Sequence, residues 1–215
     1  MTTFVTPPSP SFRERTATPP HPAWTRLRDL VPGRRHGGSG RRKDWPEAVL
    51  LDLDDTLVRN VPYNADPEAV VPMPYAREAL EILRAADIRL GVVAHQSGIG
   101  RGMLTEPEAA RINERIVQHL GPFDVWALCP HSPIDGCGCR KPRPGLVYDA
   151  ARRLGVDPHT CVVVGDVLSD VQAARNAGAR PLLVAPRPPR GADLAQTDWS
   201  PDLATAARMI LGSTP

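Results

Sequence analysis

Lysine and cysteine are both scarce in this 215-residue sequence, which has two lysines against 24 arginines and only four cysteines. Long apolar runs are missing too. No stretch approaches the ~20 apolar residues needed to cross a bilayer, which excludes a membrane-spanning helix. The start, MTTFVTPPSP, lacks the charged and apolar segments of a secretory leader, so a cytoplasmic protein is expected. In that reducing compartment, clustered thiols favour a metal over a disulfide. Aromatic residues make up 5% of the chain, and none interleaves with the arginines of GRRHGGSGRRK (33–43). That absence counts against base stacking, and nucleic-acid binding is not expected.

Proline is the opposite case, with 25 residues, eight of them within residues 1–46. The same segment carries nine basic residues against three acidic ones, while 47–215 carries 17 against 21. The net charge of +2 therefore hides a basic tail on a mildly acidic domain. Residues 1–46 contain too little apolar surface to offset the entropy of ordering, so a disordered Pro/Arg/Gly-rich tail is expected there. A polyanion-binding arm is the alternative. Residues 47–215 are expected to form one domain.

From residue 47, short apolar runs alternate with helical stretches. AVLLDL (48–53), IRLGVV (88–93), FDVWAL (123–128), CVVVG (161–165) and PLLVA (181–185) predict strands covered on both faces. Helices are predicted over 75–86, 106–120, 144–154, 167–178 and 201–211. Gly178 would stop the fourth of these, and Pro201 would sit in the first turn of the last. The alternation implies an α/β fold, a doubly wound parallel sheet with helices on both faces and no room for a large cap domain. Ligands of such sheets bind beyond the carboxyl ends of the strands.

Chemistry-bearing residues collect at those ends. The first strand runs into Asp52, Asp54 and Asp55, and the fourth into Asp166, with Asp170 one helical turn later. Carboxylates placed together repel unless a cation neutralises them, and oxygen donors of this kind suit Mg²⁺. Helix capping and loop solvation explain one such aspartate, not five converging from two strands.

The scarce residues gather in one segment, CPHSPIDGCGCRKPRPG (129–145). Cys129, His131, Cys137 and Cys139 form a C-x-H-x5-C-x-C pattern, a donor set that suits a closed tetrahedral Zn²⁺ site. The alternative is a loop with incidental free thiols. Cys161 opens an apolar strand and reads as an ordinary small core residue. Zinc would stiffen the loop and so position Arg140 and Lys141, which follow its last ligand directly.

DLDDTL, HQSGIGRG, CRKPRPG and VVVGDVLSDVQAARNAG, in that order over roughly residues 47–200, resemble the haloacid dehalogenase-like phosphatases. More narrowly, they resemble the heptose-bisphosphate and histidinol-phosphate phosphatase branch, in which a zinc loop precedes the lysine motif. The resemblance implies that Asp52 is the nucleophile and Asp54 the acid and base. It implies Mg²⁺ held by Asp52, the Asp54 carbonyl and Asp166, with Asp170 in support. Lys141 would place a compact positive charge on the phosphate. Structural Zn²⁺ would be held by Cys129, His131, Cys137 and Cys139.

Substrate-binding candidates are His95, Gln96, Ser97, Arg101 and Arg140. Arg101 is either a contact for a second anionic group or a solvated arginine in a turn. His95 is either a phosphate contact or a loop histidine. The chain departs from the family at Ala94, where Thr or Ser is usual, and at His95, where Asn is common. Val167 stands where some relatives have lysine, and Asp55 where Gly is usual. A monomeric Mg²⁺-dependent phosphatase of a small phosphorylated metabolite is expected, most of all a heptose bisphosphate. Histidinol phosphate is the alternative substrate, and a non-catalytic or weakly active binder of phosphosugars or a partner protein is the alternative class.

Overall fold

The apolar run after residue 47 becomes β1 (Ala48–Leu51), a fully buried strand in which all four side chains are covered. The computed structural model describes residues 44–189, 191, 194 and 197–212. All but the last three residues of the expected basic tail lie outside them.

The chain continues as α1 (Ala76–Ala85), β2 (Arg89–His95), the short α2 (Ser97–Gly100) and α3 (Glu106–Leu120). It then forms β3 (Val125–Cys129), α4 (Gly145–Leu154), β4 (Cys161–Gly165), α5 (Leu168–Ala177), β5 (Arg180–Val184), β6 (Asp198–Ser200) and α6 (Leu203–Ile210). The six strands make one parallel sheet in the order β3-β2-β1-β4-β5-β6. The order of connection reverses between β1 and β4, the point at which such sheets open a crevice at the strand ends.

Alternation along each strand divides the core in two. Val49 and Leu51 face a layer that includes Leu80, Leu83, Ile116 and Ile210 from α1, α3 and α6. Leu50 faces the other way, toward Leu146, Val147 and Ala150 of α4 and Ala174 of α5. Small residues predominate under α4 and α5, so those helices approach the sheet closely.

Local signals set several boundaries. Thr105 caps α3 by accepting from the Glu108 amide, while Glu108 accepts from the Thr105 N–H at 2.8 Å, a reciprocal capping box. Gly178 closes α5 with φ 76°, as expected of a glycine stop. The final helix begins differently from expectation. Pro201 precedes the first turn, and Asp202 caps the helix, its carboxylate accepting from the Thr205 N–H at 2.8 Å. One strand and one α-helix were not predicted. The three residues of β6 are too few for a periodic signal, and α2 is a single turn within a stretch expected as a loop. Between β1 and β2 the described chain holds only a short 3-10 turn (Pro67–Ala69) and α1, so no large cap domain is inserted there.

Gly91 sits between Leu50 of β1 and Val125 of β3 in the sheet register. A Cβ there would lie 2.7 Å from Leu50 Cδ2 and 2.7 Å from Val125 Cγ1. Gly91→Ala should therefore overpack the sheet and cost about 1–3 kcal/mol, read as a lower urea midpoint with an unchanged slope.

Candidate active site and cysteine loop

Beyond Leu51 the strand hydrogen bonding persists for one residue, the Asp52 N–H donating to the Val164 carbonyl at 2.8 Å. This fixes Asp52 at the mouth of the β1–β4 junction with only 8% of its surface exposed. Asp166 follows Gly165, the last residue of β4, and Asp170 lies in the first turn of α5 with 1% exposure. One carboxylate oxygen from each of Asp52, Asp166 and Asp170 falls within 4.8 Å of the others. Such oxygen donors are those a hard divalent cation takes.

The sequence placed five carboxylates at this point, and the structure brings three together. Asp55 is the clear departure. It adopts φ 55°, and its carboxylate accepts from the Asn60 N–H at 3.1 Å, stabilising its own turn instead. Asp54 stands at the exposed rim beside Asp52, and its carboxyl is not in the three-oxygen cluster.

Lys141 enters this cluster from the loop after β3. Its Nζ donates to Asp52 Oδ1 at 2.5 Å, to Asp170 Oδ1, and to the Val93 carbonyl at 3.0 Å. With 6% exposure the ammonium is nearly dry. Burial alone would favour losing the proton, but Asp52 and Asp170 outweigh it and hold the Lys141 pKa above its ordinary value.

The carboxyls move upward. Burial, then Asp52 and Asp170, push Asp166 to about 7. Burial also dominates at Asp52, opposed by Lys141, with a result of about 6. At Asp54 the surrounding protein, then the charges of Asp52 and Asp55, raise the carboxyl to about 6 although the residue itself is exposed.

The cysteine loop gathers a second set of donors. Cys129 Sγ lies 3.6 Å from Cys137 Sγ and 3.7 Å from His131 Nδ1, and Cys139 Sγ lies 3.2 Å from the same nitrogen. Two thiolates sharing one tetrahedral zinc at the usual Zn–S distance stand about 3.7 Å apart, so the spacing fits a single ion. All four cysteines of the chain are free thiols. A hydrogen bond from Cys139, opposed by burial, pulls Cys129 down to about 5, and Cys139 rises in turn. The loop thus offers a ready thiolate, the form that metals bind. Cys161 is buried in β4, where desolvation pushes its thiol to about 11, as expected of an inert core residue.

A cavity of about 260 Å³ opens beside Asp54. Leu53, Val58, Val70, Leu104, Ile112 and Ile116 supply apolar floor, and its rim carries Arg59, Asn60, Asn64, His95, Gln96 and Ser97. The Gln96 amide donates to Asn113 Oδ1 at 3.1 Å, leaving the Gln96 oxygen and the Asn113 nitrogen buried without a partner. Arg101 turns instead toward the loop after β1. It donates to the Tyr63 hydroxyl at 2.7 Å, with its guanidinium 5.9 Å from the centre of that ring. One nitrogen of Arg140 is buried without a hydrogen bond. Sequence reasoning missed Tyr63 and Asn113, because their approach to the site depends on how a loop and a helix pack.

The sequence model of the haloacid dehalogenase-like hydrolases matches residues 62–178. The D-glycero-beta-D-manno-heptose-1,7-bisphosphate 7-phosphatase of Bordetella bronchiseptica is 36% identical over 141 residues, 63% of this chain and 79% of that protein. The D-glycero-alpha-D-manno-heptose-1,7-bisphosphate 7-phosphatase of Mycobacterium tuberculosis H37Rv is 38% identical over 138 residues, 61% of this chain and 73% of that protein. Among solved structures, the B. bronchiseptica D,D-heptose 1,7-bisphosphate phosphatase complexed with magnesium and phosphate superimposes with a TM-score of 0.71 at 31% identity. The match covers 78% of this chain and 99% of that one.

The raised carboxyls give a test that needs no substrate. A carboxyl whose folded pKa exceeds its unfolded value binds its proton more tightly when folded. Its stabilising contribution is complete below about 3.8 and is lost as pH rises through about 6 to 7. Metal-free protein should therefore melt at lower temperature as pH rises across that window. Millimolar Mg²⁺ should raise the melting temperature more at pH 8 than at pH 5, measured by scanning calorimetry with and without chelator.

Proposed function

We propose that this chain, which belongs to the haloacid dehalogenase-like hydrolase family, is a phosphatase that removes the 7-phosphate of a D-glycero-D-manno-heptose 1,7-bisphosphate through a phosphorylated Asp52. The observation that carries the reading is the buried Lys141 ammonium bridging Asp52 and Asp170, with Asp166 completing the acidic cluster. The named relatives supply the substrate. They include enzymes of both the alpha and the beta anomer, so either anomer fits the reading.

In this mechanism an Asp52 oxygen attacks phosphorus and the bond from phosphorus to the sugar oxygen breaks. Asp54, whose carboxyl is raised to about 6, delivers its proton to the departing sugar oxygen. Asp54 then takes a proton from the water that attacks the phosphorylated Asp52. Inorganic phosphate leaves, and the Asp52 carboxylate is restored. Lys141 holds the nucleophile in place and offsets the negative charge of the phosphoryl group. Asp52, the Asp54 carbonyl and Asp166, with Asp170 in support, would hold Mg²⁺, and their oxygen-only donor set fits it. When bound, that ion supplies positive charge that lets a carboxylate approach a phosphate dianion.

Cys129, His131, Cys137 and Cys139 would hold a structural Zn²⁺, supported by the spacing of their donor atoms. Such a site would fix the loop leading to Arg140 and Lys141. Gln96 and Ser97, on the cavity rim, would face the sugar, Arg101 would reach it only by leaving Tyr63, and Arg140 would add positive charge near the phosphate. Clustered free thiols suit a reducing cytoplasm, and a monomer completes the reading.

Two experiments test these assignments. Phosphate release with Mg²⁺ should be measured across heptose 1,7-bisphosphates of both anomers, other sugar phosphates and histidinol phosphate. Release should be greatest with a heptose bisphosphate and absent from the Asp52→Asn variant. Activity that persists in that variant would remove Asp52 from the mechanism. Separately, Cys137→Ser should lower zinc content from about one per chain, reduce thermal stability and raise KM. Unchanged metal content by mass spectrometry would exclude the loop as the zinc site.

A further inference from the structure

His95 ends β2, and its Nε2 accepts a hydrogen bond from the Lys141 backbone N–H at 2.7 Å. The Val93 carbonyl, two residues earlier, accepts from Lys141 Nζ at 3.0 Å. The tip of β2 therefore grips Lys141 at both ends, with the buried Ala94 between the two contacts. A lysine side chain has a flexible four-carbon stem, so fixing its head alone leaves the backbone free to drift. Fixing both ends defines the path of the whole residue.

The chemistry of this contact dictates the state of the ring. An imidazole nitrogen that accepts from an N–H cannot itself carry a proton, so in the neutral ring the proton resides on Nδ1. Burial, then the charges of Lys141 and Arg140, push the imidazole down to about 3 and keep it neutral. Among the described residues no hydrogen bond is made by Nδ1, and His95 lies on the cavity wall.

We propose that His95 is a positioning residue that seats the backbone of Lys141, so that the Lys141 ammonium stays between Asp52 and Asp170. This rests on the phosphatase reading for its effect on rate, but the contact itself does not. The anchor belongs to β2 and makes its contact through the imidazole, although His95 is also the sheet-register partner of Cys129. Lys141 is thus held from the sheet on one side and from the loop that ends in Cys139 on the other.

The substitutions that test this differ in reach. In His95→Gln the carboxamide oxygen would come close to the place of the imidazole Nε2. In His95→Asn the shorter side chain would bring its oxygen only to the place of Nδ1, and in His95→Phe the ring would fill the volume with no acceptor. In the full-length protein, His95→Gln should keep kcat within about threefold of the parent. His95→Asn and His95→Phe should lose on the order of tenfold or more in kcat, with KM little changed and zinc content intact. Equal losses in all three variants, or a His95→Phe protein within about twofold of the parent, would overturn the proposal.

Long-range ¹H–¹⁵N spectra of the unsubstituted protein give a second readout. A bare Nε2 with a proton on Nδ1 supports the proposal, and a proton on Nε2 overturns it. If His95→Phe does not fold, the contrast between His95→Gln and His95→Asn decides. If the unsubstituted protein releases no phosphate from any substrate, the phosphatase reading fails, and the imidazole spectrum still decides whether His95 seats Lys141.

Discussion

The Lys141 ammonium, buried between Asp52 and Asp170, is the interaction on which the arrangement of the site depends. An ion pair removed from water loses hydration on both partners, and removing one partner leaves an uncompensated buried charge. Here three separate parts of the chain meet in one such contact, the end of β1, the first turn of α5 and the loop after β3. The parallel sheet brings β1 and β4 side by side, and the loop must then deliver its cation to their junction. This explains why a chain with only two lysines places one here, because arginine's broad planar head is a poor substitute for a compact point charge.

The cysteine loop answers a problem of order. Residues 129–145 contain too much proline and glycine to hold one shape through regular hydrogen bonding. Their backbone nevertheless carries Lys141 into the junction of β1 and β4. Between β3 and α4 regular structure is limited to one 3-10 turn (Pro133–Asp135), and four donor atoms lie within 4.8 Å of one another. Gly145 shows how close the approach is, since a Cβ there would stand 2.9 Å from the Cys139 Cα. The first turn of α4 is thus packed directly on the last residue of the donor set.

Much of the fold was legible because local signals agreed with tertiary ones. The expected bounds of α3 and β4 match the structure because a capping box starts the former and β-branched residues fill the latter. The acidic residues and the cysteine pattern could be found because strand ends and short spacings bring them together through local chain geometry. Other features depend on contacts between distant segments. Asp55 left the cluster because a positive φ turned it toward Asn60; the glycine usual at this position and the tolerance of Asp for that backbone were signals the reading of carboxylates alone passed over. The turn of Arg101 toward Tyr63 joins loops 38 residues apart, and the cavity floor is assembled from the loop after β1, the loop before α3, and α3 itself. The role of His95 was open in the sequence for the same reason, since its partner lies 46 residues away.

Charge balance links the departures at Ala94 and Val167 to the rest. Asp52, Asp166 and Asp170, when ionised, carry three negative charges, and Lys141 returns one, leaving an excess of two. That excess equals the charge of a single divalent cation, so the cluster is neutral once one is bound and repulsive without it. A lysine at position 167 would have reduced the excess and weakened the demand for the ion. The exposed Val167 leaves that demand intact. Ala94, in turn, withdraws a neutral hydroxyl and changes no charge. On the proposed reading, the electrostatic part of the site is complete and a directional hydrogen bond is what it lacks. Charge stabilisation carries most of phosphoryl transfer, and that is the part retained.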